Sequence, residues 1–320
     1  MKEEITSETS GNLIVSPFSV ETVLSLTYEG AKGATASELV TGLSLPSTEE
    51  MIEQAFKSFL TNVKGSEEDE LVFSSANKVY VDQQVELEKN FATLAESVFE
   101  SEVGTVNFES SYAAAEEINA WVESKTNSKI QNLVSPDSIG EETTILLVNT
   151  IYLSGKWQNA FDQFPVVKGS FYTTEDNTVE TDFMHEEEYL NYYDNEELDA
   201  KFLELPLKGG NIQMVIALPN KVEGLSTLEE NLDKVLELQL LESSGVKVDL
   251  PKFSVQSDIE FVPVLEKLGV KHLFSMDADL SGISSTNKNL YIGNVIQKAF
   301  INVTEGGWKL QLLLMHQMNN

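Results

Sequence analysis

Two spacings of apolar residues alternate along this chain. After Ser16-Pro17, a pair that favours a helix start, Val20, Val23, Leu24 and Thr27 recur at helical intervals. The stretch "AAAEEINAWVESKTNSKIQNLV" predicts a second strong helix, with Ile118, Trp121 and Val122 on one face. By contrast, "TTILLVNTIYL" is an almost unbroken run of β-favouring residues, the pattern of a strand buried on both faces. Further strands are predicted at "IQMVIALP" and "GVKVDLPKFSV". Helix-rich and strand-rich parts are interleaved without a regular βαβ spacing, so the class read from the pattern is α+β. Neither a linker nor an internal repeat divides the chain, and residues 1–320 are expected to form a single domain. The acidic stretches "GSEEDE" and "HEEEYLNYYDNEELD" read as solvated loops or helix faces.

Charge narrows the partners. The chain has 21 basic and 52 acidic side chains, a net charge of −31. Such a surface repels phosphate backbones and anionic membranes, so neither nucleic acid nor a membrane is expected as a partner. There is no cysteine, which removes disulfides, thiolate chemistry and cysteine metal sites. No segment has the ~18 consecutive apolar residues of a membrane span. The opening "MKEEITSETSGN" lacks the apolar centre of a signal peptide, which leaves a cytoplasmic chain or one whose true beginning is missing.

Candidate chemistry is sparse. His185, His272 and His316 stand far apart, in no metal-ligand spacing, and are expected to be surface or packing residues. The sequence contains no G-x-S-x-G elbow, H-E-x-x-H helix or P-loop, and "GAKGA" is too short for a phosphate cradle. No enzyme activity, metal or cofactor is expected. The sequon at Asn302 falls in an apparent strand, where a paired residue is poorly accessible. Asn149 interrupts the buried run; an amide there needs a hydrogen bond, from neighbouring backbone or as a polar latch where strands must separate.

Several stretches together resemble the serpin family. They are "NLIVSPFSV", "YEGAKGATASEL", "ANKVYVD", "INAWVESKTNSKIQNLV", "LLVNTIYLSGKWQNAF", "FLELPLKGGNIQMVIALPN", "VKVDLPKFSV", "LGVKHLFS" and "KAFINVTEGG", in family order from Gly11 to Gly307. The resemblance implies a large sheet A, two smaller sheets and about eight or nine helices. It also implies a monomeric inhibitor of a chymotrypsin-like serine protease. An exposed reactive loop is cleaved, inserts as an extra strand into sheet A, and carries the acylated protease with it. Many members are extracellular and others intracellular. Ser16, Ser19 and Asn149 match the family's polar shutter beneath the centre of sheet A, and Gln297 stands where a shutter histidine is usual. Trp157 and Lys252 match the breach, where insertion begins, and Lys252 would pair with the hinge residue Glu305, which Gly306 and Gly307 follow.

The ending departs from that pattern. The hinge should continue into small residues, but Trp308 follows Gly307 and a leucine-rich run extends to Asn320. A tryptophan is expected to be hard to bury in a strand that slides between two others. Residues 308–320 are thus read as an atypical tail, with the reactive bond, the rest of the loop and the final strands absent. Back-translated one frame over, with ordinary codon choices, Trp308–His316 spells a glutamate followed by alanines, so the residues from about Gly306 onward are expected to be either an out-of-frame reading of a normal hinge or an authentic terminus. Three expectations follow: a chain that cannot trap a protease, a non-inhibitory carrier, storage or chaperone-like serpin as the alternative, or a non-functional product. Exposed apolar surface and poor solubility are expected where strands are missing.

Overall fold

The structure is a computed structural model; it describes residues 11–46, 48–63, 71–125, 134–140, 142–209, 212–237, 242–286 and 289–319. Eight α-helices lie among these residues: α1 (Pro17–Gly30), α2 (Gly33–Leu43), α3 (Glu49–Val63), α4 (Lys89–Ser97), α5 (Ser111–Lys125), α6 (Leu225–Glu230), α7 (Leu232–Leu236) and α8 (Val262–Lys267). Eleven strands accompany them: β1 (Val72–Asp82), β2 (Ser101–Val106), β3 (Thr143–Lys156), β4 (Val167–Tyr172), β5 (Thr178–Asn195), β6 (Ala200–Pro206), β7 (Gln213–Pro219), β8 (Glu242–Pro251), β9 (Phe253–Glu260), β10 (Tyr291–Thr304) and β11 (Gly307–Asn319). The acidic stretch "GSEEDE" and the distal part of the predicted second helix lie outside the described residues.

Strands β2-β1-β3-β11-β10-β9 form a six-stranded sheet in that order. Only β1 and β2 run parallel; every other neighbour pair is antiparallel. A second sheet runs β4-β5-β6-β7, with β8 also on β5. The two smaller sheets implied by the resemblance share the 18-residue β5. Its beginning pairs β4, its middle β8 and its end β6, so hydrogen bonding joins them in one path.

Helix α1 starts where the sequence signals it. Ser16 is the N-cap, its hydroxyl accepts from the Ser19 N–H at 3.2 Å, and Pro17 sits in the first turn. Val20, Val23, Leu24 and Thr27 are all buried. The helix packs against one face of the large sheet in a core that includes Leu147, Val295, Leu314 and Met318. The opposite face of the sheet is covered by α5, whose Ile118, Trp121 and Val122 pack on Tyr80, Leu146, Val148, Leu313 and Met315. Because both faces are covered, β3 is buried along nearly its whole length. A third core, around Trp157, Met184, Leu190, Leu205 and Trp308, fills the space between the two sheets.

Stretch 185–199 departs from expectation. Most of it belongs to β5 and not to a loop or helix face, and Glu186 is buried. Pairing with β8 outweighs the poor strand preference of consecutive glutamates.

Candidate functional site: the strand slot of the large sheet

The candidate residues collect along one strand position, the gap between β3 and β10. In this chain the gap is filled by its own tail, β11. Each of the thirteen residues of β11 faces a partner in β3 and one in β10, from Gly307 opposite Lys156 and Thr304 to Asn319 opposite Thr143 and Tyr291. The tail is apolar in alternation: Trp308, Leu310, Leu312, Leu314 and Met318 share one face with His316. On the other face, Leu313 and Met315 enter the core beneath α5.

The upper end of the slot is a tight hairpin. Glu305 and Gly306 link β10 to β11, since Thr304 pairs directly with Gly307. The Trp157 backbone N–H donates to the Gly306 carbonyl at 3.2 Å, and its indole Nε1–H donates to the Thr304 carbonyl at 2.9 Å. The Phe161 N–H donates to the Glu305 carbonyl at 3.0 Å. Lys252 Nζ donates to Glu305 Oε1 at 2.8 Å, and this hydrogen bond holds the Glu305 carboxyl below its ordinary range. Both side chains are one-third exposed. The pair therefore positions the turn and adds little stability of its own. The residues singled out from the sequence as breach and hinge thus meet at one corner.

Trp308 corrects an expectation. It is only 7% exposed, packed in the core shared with Leu153, Trp157 and Val303. Its β3 neighbour in register is Gly155, where a Cβ would collide with Leu207 and Leu71 of the same core. The cost is one indole N–H, buried with no hydrogen-bond partner.

At the centre, the polar residues are split. The Ser16 N–H donates to Gln297 Oε1 at 2.9 Å, and Gln297 Nε2 donates back to the Ser16 carbonyl at 3.1 Å. Ser19 joins this group through the Ser16 hydroxyl. Asn149 stands apart. In register, Gln297 faces Leu314 and Leu314 faces Asn149, so an apolar side chain separates the two amides. Asn149 Nδ2 instead donates to Asn77 Oδ1 at 2.7 Å, across the β1–β3 pair, and its own oxygen is buried without a partner. The sequence reading missed Asn77, Gly155 and the role of the tail. The period-2 alternation from Trp308 to Met318 was the available signal for a strand.

At the lower end His316 is fully buried, neither ring nitrogen has a hydrogen-bond partner, and burial pushes its pKa down to about 3. Below it, Gln317 Nε2 donates to the Thr143 hydroxyl and to Asn319 Oδ1. The other two histidines are tied to acids: His185 Nδ1 lies 2.5 Å from Asp249 and His272 Nδ1 lies 2.5 Å from Glu38. No cluster of three or more metal-ligating side chains occurs among the described residues.

The six-stranded sheet thus takes its fourth strand from a hairpin at the end of β10, with an ion pair and a tryptophan at the hairpin. The comparisons fix the class. A serpin family model, described as serine protease inhibitor, matches residues 1–312. The serine protease inhibitor 42Dd of Drosophila melanogaster is 36% identical over 304 residues, covering 94% of this chain and 80% of the relative. Among solved structures, cleaved Serpin 42Da aligns at TM-score 0.92 and 32% identity, covering 98% of this chain and 85% of that one. Serpin48 of the insect Tenebrio molitor aligns at TM-score 0.88 and 34% identity, covering 99% and 94%. The chain belongs to the serpin family, and the relatives it matches include named serine protease inhibitors.

Proposed function

We propose that this chain is a serpin of the inhibitory type, directed at a chymotrypsin-like serine protease, and that in the form seen here it no longer traps one. One observation carries the second half: β11 already fills the position between β3 and β10. Trapping draws its driving force from a loop that gains strand pairing on both sides as it enters the sheet. With both edges of the slot already paired, cleavage of any bait releases no such free energy, and an acylated protease is left undistorted to complete hydrolysis. The likeness to a solved serpin that is itself cleaved supports this reading.

Roles follow for the residues of the slot. Trp157, Lys252 and Glu305, with Gly306 and Gly307, hold the corner at which a strand enters. Ser16, Ser19 and Gln297 on one side, and Asn149 with Asn77 on the other, satisfy the polar groups where β3 and β10 part. The same resemblance supports an extracellular setting; no helix among the described residues is long and apolar enough to cross a membrane.

The test is incubation of the full chain with chymotrypsin, read on a denaturing gel and by residual protease activity. The expected result is no detergent-stable complex and unimpaired activity. A covalent complex at the summed mass would overturn the proposal. A carrier role is the second reading, favoured by the filled slot, because ligand carriage needs no inserting bait; it too predicts no complex.

A further inference from the structure

The inward face of β5 is set by alternation and reads Met184, Glu186, Glu188, Leu190. Met184 and Leu190 lie in the core between the sheets, as this position demands. Two carboxylates in the middle of such a face are anomalous. Glu186 is only 4% exposed. Its Oε1 accepts from the Glu187 N–H at 3.1 Å, while its Oε2 is buried with no partner. Glu188 accepts from Asn159 Nδ2, and its carboxyl is pushed up, first by burial and then by the charge of Glu186. Among the described residues neither carboxylate is paired with a lysine or arginine, although the outward neighbour Glu187 pairs with Lys247 at 2.6 Å. A buried carboxylate left without a partner costs several kcal/mol in real proteins. The sequence could have placed a leucine at either position without that cost.

Both glutamates line one small cleft of about 90 Å³, partly open to solvent. Its remaining wall includes Trp157 and Phe161, whose rings meet edge to face at 6.0 Å, together with Tyr189 and Leu205. We propose that this cleft is a binding site for a single organic cation, a primary ammonium or guanidinium group. Such a group supplies the N–H donors and the positive charge that Glu186 Oε2 and Glu188 lack. Anionic ligands are excluded by two carboxylates in a chain of net charge −31. A divalent metal ion is disfavoured, because no group of three or more His, Cys, Asp or Glu side chains gathers there among the described residues. The cation has two possible sources, a free small amine or the lysine or arginine side chain of a protein partner, and the same chemistry serves both.

The full chain is titrated by calorimetry, and by intrinsic tryptophan fluorescence, with three probes: n-butylammonium, n-butylguanidinium and the peptide acetyl-Gly-Arg-Gly-amide. Saturable binding of at least one probe is expected, weakened roughly tenfold to hundredfold in Glu186→Gln and in Glu188→Gln. Binding of the free cations identifies a small amine as the ligand; binding of the peptide alone identifies a partner's side chain. Without any probe, Glu186→Gln should melt higher than the parent, because it removes the buried charge. If Glu186→Gln does not fold, the more exposed Glu188→Gln decides. The proposal is overturned if none of the probes binds saturably to the folded parent, or if affinity is unchanged in each variant that folds.

Discussion

Two residues of the tail show how a single position controls the slot. Gly307 has φ of 149°, and a Cβ built there would lie 2.0 Å from the Gly155 carbonyl oxygen. Gly307→Ala must therefore push β11 away from β3 or distort the hairpin, at a cost on the order of 1–3 kcal/mol or more. Urea unfolding should show a lower midpoint, while Gly306→Ala, which meets nothing within 4 Å, should be far milder. His316 makes the seating of the tail depend on pH. Its pKa is lowered from 6.5 to about 3 by burial, so the seated state favours the neutral ring and the released tail binds the extra proton. The His316 contribution is fully present above pH 6.5 and is lost as pH falls toward 3, by about 1.4 kcal/mol per unit at most. Measured between pH 7 and 4, stability should fall more steeply in the parent than in His316→Leu. Equal slopes would remove His316 as the cause. At this scale the sequence was legible where a residue is anomalous by type in its local run, as with Asn149. Its partner Asn77 was not, because the contact spans 72 positions.

Among the elements, β11 gives the clearest measure of what can be read in advance. The long run of β3 and the helix start at Ser16-Pro17 could be assigned because local pattern and burial agree there. The tail alternates as cleanly as any strand, yet nothing in the alternation says which sheet edge takes it up. That choice depends on a gap between β3 and β10, which are separated in sequence by more than a hundred residues. Trp308 illustrates the same limit, since it is buried among Trp157, Leu207 and Val303, residues far from it or across the hairpin. The energetic centre of the tail is Leu314, fully buried between Gln297 and Asn149 in register and packed on the α1 side of the sheet. Leu314→Ala should destabilise the chain by about 2–5 kcal/mol. If β11 unseats as a unit, amide exchange should accelerate along all of β11 and on the facing residues of β3 and β10. A local cavity alone would confine the change to the neighbours of residue 314.

For the whole molecule, the open question of physical behaviour lies at the sheet ends. Among the described residues, four of the five strands with a free edge carry charges that discourage pairing with another chain: Glu102 on β2, Asp258 and Glu260 on β9, Lys168 on β4, and Lys247 with Asp249 on β8. Strand β7 carries none. It ends the second sheet with the sequence Gln213 to Pro219, and its Val215 and Leu218 are 51% and 57% exposed. Net charge opposes association at long range, but salt screens that repulsion beyond ~8 Å at physiological ionic strength, leaving the apolar edge to act at contact. The chain should therefore be monodisperse in dilute buffer and associate as salt is added, a dependence opposite to that of an assembly held by ion pairs. Val215→Lys places a charge at a half-exposed position of β7 that takes no part in the core formed by Ala217, Phe202 and Leu228. Light scattering across a salt series should show association suppressed in this variant, with an unchanged melting temperature. Association that persists unchanged in Val215→Lys would place the sticky surface elsewhere, and the partly buried apolar residues between the two sheets, among them Ile216 and Phe253, would become the next to substitute.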